Sequence, residues 1–257
     1  MNRANRALLL RLIGREVRSR FIGSATGWVW LILNPLLLLG VYGFVFGVIF
    51  QARVPPGLDM PFVAWLAVAL WPWLMFSEGV LRGAQAIREH AALISKVALK
   101  RELLVIASVS AVFLLHLFGY VTVLTLIGFL ADLTWLGMFR LSLALVGLYA
   151  LALGLGLGLS AVQVFVRDLE QAMPTLFMFW FFLTPILYAP SLVPESLVDW
   201  LYWNPLTWVM GEIRAGILHG EPVPGVAAGL LLLGGLLTLW LGWRLFARLN
   251  PYFEDFL

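Results

Sequence analysis

The 257-residue chain contains no cysteine, which excludes disulfides, thiolate metal sites and cysteine nucleophiles. It has no G-x-x-x-x-G-K-[ST] loop, and Lys96 and Lys100 are its only lysines. A Gly-rich phosphate cradle with its lysine is therefore missing, and the chain is not expected to bind nucleotide or to need a cofactor of its own. Three histidines, His90, His116 and His219, have no metal-ligand spacing, and no metal site is expected. Ser160 and His116 come nearest to a hydrolase pair, but no nucleophile elbow surrounds the serine, so the chain reads as non-catalytic. Charge is scarce too: 12% of residues, against roughly a quarter in a soluble domain.

Apolar residues fill the space. They make up 62% of the chain, and the mean hydropathy is +0.95. This is the composition of a polytopic membrane protein. The pI of 9.5 does not indicate nucleic acid, because the net charge is only +3 and what matters is where the cations lie.

A spanning helix needs about 20 apolar residues. Six segments reach or approach that length: 28–50, 61–81, 103–130, 141–165, 173–188 and 226–246. The expected fold is an all-α membrane protein with six transmembrane helices in one domain, 1–257. Segment 190–218, broken by Pro194 and Asn204-Pro205, is too polar to span and too apolar for an open loop. Re-entrant helices between the fifth and sixth spans fit it, since irregular backbone at membrane depth needs protein or a cavity around it. The Leu-Gly alternation of 153–160 and the pairs Gly43–Gly47 and Gly79–Gly83 suit close helix packing, though they do not locate a dimer interface.

Orientation follows from the arginines. With the N-terminus cytoplasmic, the inside holds Arg3, Arg6, Arg11, Arg15, Arg18, Arg20, Arg82, Arg88, Lys96, Lys100, Arg101, Arg167, Arg244 and Arg248. The outside keeps Arg53, Arg140 and Arg214. The positive-inside rule then places both termini in the cytoplasm. The first apolar run is too long for a signal-peptide core, so the first span is expected to remain as a mature helix. Segment 1–24 is amphipathic, with Arg11, Arg15 and Arg18 on one face and Leu9, Ile13 and Val17 across from it. Such a helix suits the headgroup layer, and a plain positive-inside anchor is the alternative.

Inside the spans charge is sparse. Glu78 and Arg82 are four apart and spaced to pair on one helix face. Glu212 and Arg214 fall in the segment read as re-entrant. Aromatics are plentiful, and 177–182 (FMFWFF) runs through the fifth predicted span. Such a run is either packing and lipid contact or a surface for sugar rings, whose C–H faces pack on aromatic planes.

Four blocks make the chain resemble a family. They are Arg20-Phe21 with Gly27, Trp30 and Pro35; Pro72-Trp73 and Phe76, followed by Leu93-Ile94, Lys96-Val97 and Arg101-Glu102; Arg167-Asp168, Pro174, Thr184-Pro185, Tyr188, Val193-Pro194 and Asn204-Pro205; and the tail Phe253-Glu254-Asp255. In this order they resemble the permease subunits of ABC exporters for bacterial surface polysaccharides: O-antigen, capsule and teichoic acid. Two positions depart from the family pattern, Leu99-Lys100 where Phe-Pro is usual and Asn250 where a glutamate is usual. Both lie on the side of the expected partner.

The resemblance implies an inner-membrane subunit moving lipid-linked polysaccharide, paired with a second copy of itself and with a separate ATP-hydrolysing subunit. It implies a coupling helix in 86–102, with Arg88, Glu89, His90, Ile94, Lys96, Arg101 and Glu102 contacting that subunit. Read without the resemblance, the same loop is a solvated one with ordinary positive-inside charge. Arg167 and Asp168 would contact the same partner, and they also suit helix capping. The first and fifth spans would line a conduit, with Trp30, Tyr42, Phe179, Trp180, Phe182 and Tyr188 as candidates. Two rival readings are an exporter of the same design for a small amphiphile or drug, and a passive scaffold or secondary carrier.

Overall fold

A computed structural model describes residues 3–20, 27–55, 57–94, 96, 99–129, 133, 135–221 and 225–256. Among these residues there is no strand, and the apolar segments are helical. The elements in order are α1 (Arg3–Ser19), α2 (Gly27–Tyr42, continued by a π-helical stretch, Gly43–Ile49), α3 (Phe62–Glu89), α4 (Ala91–Ile94), α5 (Glu102–Gly128), α6 (Met138–Gln163), α7 (Leu169–Leu183), α8 (Glu195–Tyr202), α9 (Pro205–Ile217) and α10 (Val226–Leu249).

α3 is the centre of the bundle. Both its faces are buried, against α5 and α6, and its middle holds Leu66, Val68, Trp71, Met75 and Phe76 with almost no exposure. Pro72 inside this helix has no N–H to give, so the carbonyl four residues back, on Val68, loses its helical partner. The buried hydroxyl of Tyr120 on α5 donates to that carbonyl at 2.9 Å. In a bilayer no water can do this, and the helix keeps its proline because a neighbour supplies the missing donor.

The alternation at 153–160 has a geometric use. Gly154 and Gly158 are four apart and face α10, whereas Gly156 looks the other way, toward α3. A Cβ on Gly242 of α10 would sit 1.9 Å from the Gly154 carbonyl oxygen, and one on Gly83 would come within 3.1 Å of Gly156 Cα. No side chain fits at the α10 crossing and a Cβ would be tight at the α3 crossing, so glycine sets how closely α6 meets both neighbours. The pairs Gly43–Gly47 and Gly79–Gly83 serve contacts within the chain, the first against Val63 and Phe62, the second against α5 and α6.

Among the described residues, five helical stretches are long and apolar enough to cross a membrane: Ile32–Ile49, Phe62–Glu89, Glu102–Gly128, Met138–Gln163 and Val226–Asp255. The expected fifth span, 173–188, is corrected: α7 starts at Leu169 and stops at Leu183, because Pro185 bars its extension. Its 15 residues reach about 22 Å, short of the roughly 30 Å hydrocarbon core. The third expected span, 103–130, forms α5, although its last residue lies outside the described residues.

α1 packs on α5. Its arginines 11, 15 and 18 are exposed, while Leu9, Ile13 and Val17 turn inward around buried Leu12.

Candidate coupling surface and conduit wall

At the end of α3 the basic loop and two other segments meet. Arg88 donates to Glu170 at 2.7 Å, joining the loop 86–102 to the turn that opens α7. Arg167 and Asp168 are exposed beside this pair, and Asp168 sits at the N-cap of α7 without a side-chain cap bond. His90 ends α3, with Nδ1 2.9 Å from the Ala86 carbonyl and Nε2 3.1 Å from Glu16 of α1. That shared bond with His90 holds the Glu16 carboxyl below its ordinary 4.5, and it holds the His90 imidazole above its ordinary 6.5.

Arg101 turns toward the tail. It donates to the Asn250 carbonyl at 2.6 Å and to the Asn250 side chain at 3.2 Å, pairs with Glu254, and lies over the Phe253 ring. Asn250, one of the departures noted above, is thus itself a ligand of Arg101. A cleft of about 550 Å³ remains between loop and tail, with Ile94, Lys100 and Glu102 in its lining. Glu89 and Lys96, expected at the same surface, are exposed but do not line this cleft. Val97 and Phe21, quoted for the resemblance, lie outside the described residues.

The conduit candidates divide into two groups. Phe179 and Phe182, three apart on α7, are both more than half exposed and share an open face. Trp30 is exposed on α2. Tyr42 stacks on Phe181, with ring centroids 5.4 Å apart, and Phe181 meets Phe182 edge-on at 5.2 Å. Trp180 faces inward instead, against Trp73 and Phe76, and its indole N–H donates to Asn204 Oδ1 at 3.0 Å. Tyr188 lies beyond the helix, and its hydroxyl donates to the Phe182 carbonyl at 3.2 Å.

Pattern reading missed how the end of α7 is held. A helix end leaves carbonyls without partners. Here Thr184 donates to Trp180, Tyr188 to Phe182, Asn204 to Leu183, and Arg214 to Pro185 and Ile186 at 2.7 and 2.9 Å. Arg214 also lies over the Trp65 ring, 3.7 Å from its centroid. Asn204 additionally caps α9 through Leu206 N–H, and the Asn-Pro step at a helix start is the signal that could have pointed to this role. Arg140 grips Glu212 through two bonds of 2.6 and 2.9 Å and also pairs with Glu221, tying α9 to the start of α6.

The pairing of Glu78 with Arg82 expected from spacing is not made. Glu78 instead meets Arg20 at 2.7 Å and His116 at 2.7 Å, and Arg82 meets Glu89 at 3.5 Å. A residue four positions away lost to two partners brought in by α1 and α5.

The ABC-2 type transporter family matches residues 7–218 of the chain. Over 263 residues the chain is 30% identical to the O-antigen export system permease protein RfbA of Myxococcus xanthus, covering 97% of this chain and 95% of that protein. The permease RfbA of Klebsiella pneumoniae is 25% identical over 253 residues, with the same two coverages of 97% and 95%. The polysialic acid transport protein KpsM of Escherichia coli is 27% identical over 237 residues, 90% of this chain and 89% of that protein.

Proposed function

Because the chain belongs to the ABC-2 type transporter family, it is the membrane subunit of a polysaccharide exporter, and we propose how it works. Two copies enclose a conduit for a lipid-linked glycan in the bacterial inner membrane, with both termini cytoplasmic. A separate ATP-hydrolysing subunit docks on the loop 86–102 and on the turn at Arg167 and Asp168. The Arg88–Glu170 bond carries this reading, because it joins the two segments into one surface at the basic end of the bundle. ATP binding by the partner moves that surface, and α3 and α7 move with it. α7 crosses as the short fifth of six spans and α8 and α9 fold back into the outer half, which is supported by the side-chain donors capping α7 where water is scarce. The exposed face of Phe179 and Phe182 lines the conduit with Tyr42 close by, while α1 lies along the inner surface with its arginines toward anionic lipid.

The test is reconstitution. The purified chain alone should neither bind nor hydrolyse ATP, and with its matching ATPase it should give turnover that stops when the 86–102 loop is replaced by a Gly-Ser linker. Saturable ATP binding by the isolated chain would overturn the division of labour. Single cysteines placed at Asp59 and Ser196 should react with an impermeant thiol reagent in intact cells, and one at Glu170 should not. The reverse pattern would invert the orientation.

A further inference from the structure

Between α2, α3 and α5, toward the end of α3 that carries the basic loop, lies a partly open cavity of about 470 Å³. Its lining has two characters. Leu38 and Leu74 give it a hydrocarbon wall, while Arg20, Glu78 and Arg82 give it a charged one, to which His116 adds an imidazole. The volume falls within the roughly 300–1,000 Å³ of small-molecule pockets, and the mixed wall suits an amphiphile.

Charge selects the sign of the ligand. The single carboxylate of the lining, Glu78, is engaged twice, by Arg20 and by His116, each at 2.7 Å. Arg82 meets Glu89 at 3.5 Å, with the side chains 47% and 43% exposed, a weak surface pairing that leaves the guanidinium available. Arg20 is held by Glu78 and Arg82 only loosely by Glu89, while Glu16, which lines the adjoining smaller cavity, is taken up by His90, so the arginine charge left over favours an anion. Arg82 is seven residues before Glu89, about 10 Å along the helix, which puts it near the depth of a headgroup layer. Glu78 is one turn deeper.

Two buried side chains here are incompletely satisfied. His116 is 5% exposed, and its Nδ1 has no partner among the described residues. Ser108, also 5% exposed, has no partner for its hydroxyl. Ser108 lines a smaller cavity of about 150 Å³ that shares Arg20 and Arg82 with the first. Buried polar atoms without partners are costly, and they mark a place where ligand oxygens would complete the bonding. α2 forms one wall of the partly open crevice through Trp30, Asn34, Pro35 and Leu38, and its outer face exposes Val29, Leu37 and Val41.

We propose that this crevice binds the phosphate head of a lipid. Arg82 and the unengaged N–H groups of Arg20 hold the phosphate oxygens, and the hydrocarbon chain lies over Leu38 and Leu74. Two sources share this chemistry: an anionic phospholipid of the bilayer, and the phosphate linker of a lipid-linked glycan. The second source rests on the exporter reading above; the phosphate site itself does not.

The test uses the delipidated full-length chain in uncharged detergent, titrated with polyprenyl diphosphate, the matching polyprenol and phosphatidylglycerol, with binding read by native mass spectrometry. At least one phosphate lipid should bind saturably and at least tenfold tighter than polyprenol. Arg82→Gln should weaken binding about tenfold and Arg82→Lys much less, and Leu74→Trp, which fills the cavity, should abolish it. Preference for polyprenyl diphosphate identifies the glycan carrier; equal or better binding of phosphatidylglycerol identifies a bilayer lipid, and either supports the site. Polyprenol binding as tightly as the phosphates would overturn the proposal. So would binding unchanged by both Arg82→Gln and Leu74→Trp. Surface glycan per permease is measured in parallel: export without phosphate binding removes the site and leaves the exporter, whereas binding without export does the reverse.

Discussion

Tyr120 donates its hydroxyl to the carbonyl of Val68, the one carbonyl that Pro72 strips of its partner within α3. The two residues are 52 apart in sequence, yet each explains the other. Tyr120→Phe should leave that carbonyl buried and unpaired, at a cost of about 1–3 kcal/mol. Thermal unfolding in detergent reads the loss. Adding Pro72→Ala, which restores the helical N–H, should recover most of it. A double variant no more stable than Tyr120→Phe would show that the hydroxyl matters for another reason.

Asn204 ties α7 to α9, accepting from Trp180 and Leu206 and donating to Leu183 and Thr184. Asn204→Ala should lower stability by about 1–3 kcal/mol and reduce export. Asn204→Asp keeps the acceptor for the indole but loses both donors, so its stability should fall in between. Equal stability of the two variants would argue against the donor half of this role.

The Arg88–Glu170 pair is partly exposed, so breaking it should change stability by less than about 1 kcal/mol. Its effect should be on coupling. Arg88→Glu should reduce export and ATPase turnover in the assembled transporter, and adding Glu170→Arg should restore both. No recovery in the charge-swapped double variant would separate the pair from coupling.

The bond between Glu16 and His90 makes the attachment of α1 depend on pH. His90 is raised above its ordinary 6.5, so its contribution is complete below that value and is lost as pH climbs through the raised pKa. Glu16 is lowered below 4.5, so its contribution is complete above that value and is lost as pH falls through the lowered pKa. α1 should therefore be held best between about pH 4.5 and 6.5. Spin labels on cysteines at Gly14 and Lys96 should give one narrow distance there and a broader spread at alkaline pH. His90→Gln should flatten the response; a response that survives His90→Gln belongs to another group.

For the aromatics, burial separates two outcomes. Phe179→Ala and Phe182→Ala each remove an exposed ring, a stacking surface of roughly 0.5–1.5 kcal/mol, and should lower surface glycan per permease with normal abundance. Trp180→Ala should instead lower abundance, because the ring packs on Trp73 and Phe76 and bonds to Asn204. Wild-type export per molecule in both phenylalanine variants would end the conduit reading of that face.

Much of this was legible in the chain itself. Helices of spanning length follow from apolar runs, because a bilayer admits only backbone that bonds within its own segment. The exposed and buried faces of α1, and the place of glycines in close crossings, follow from helical periodicity. What periodicity cannot provide is a partner distant in sequence. Glu78 and Arg82 have the right spacing to pair, and only the docking of α1 and α5 brings Arg20 and His116 to Glu78 in place of Arg82. The same holds for Trp180, one of several similar rings in 177–182 until Asn204 arrives beside it. The length of α7 was decided jointly: Pro185 ends the helix locally, but side chains from Tyr188, Asn204 and Arg214, all distant from the helix or beyond it, supply the donors that its last carbonyls lack.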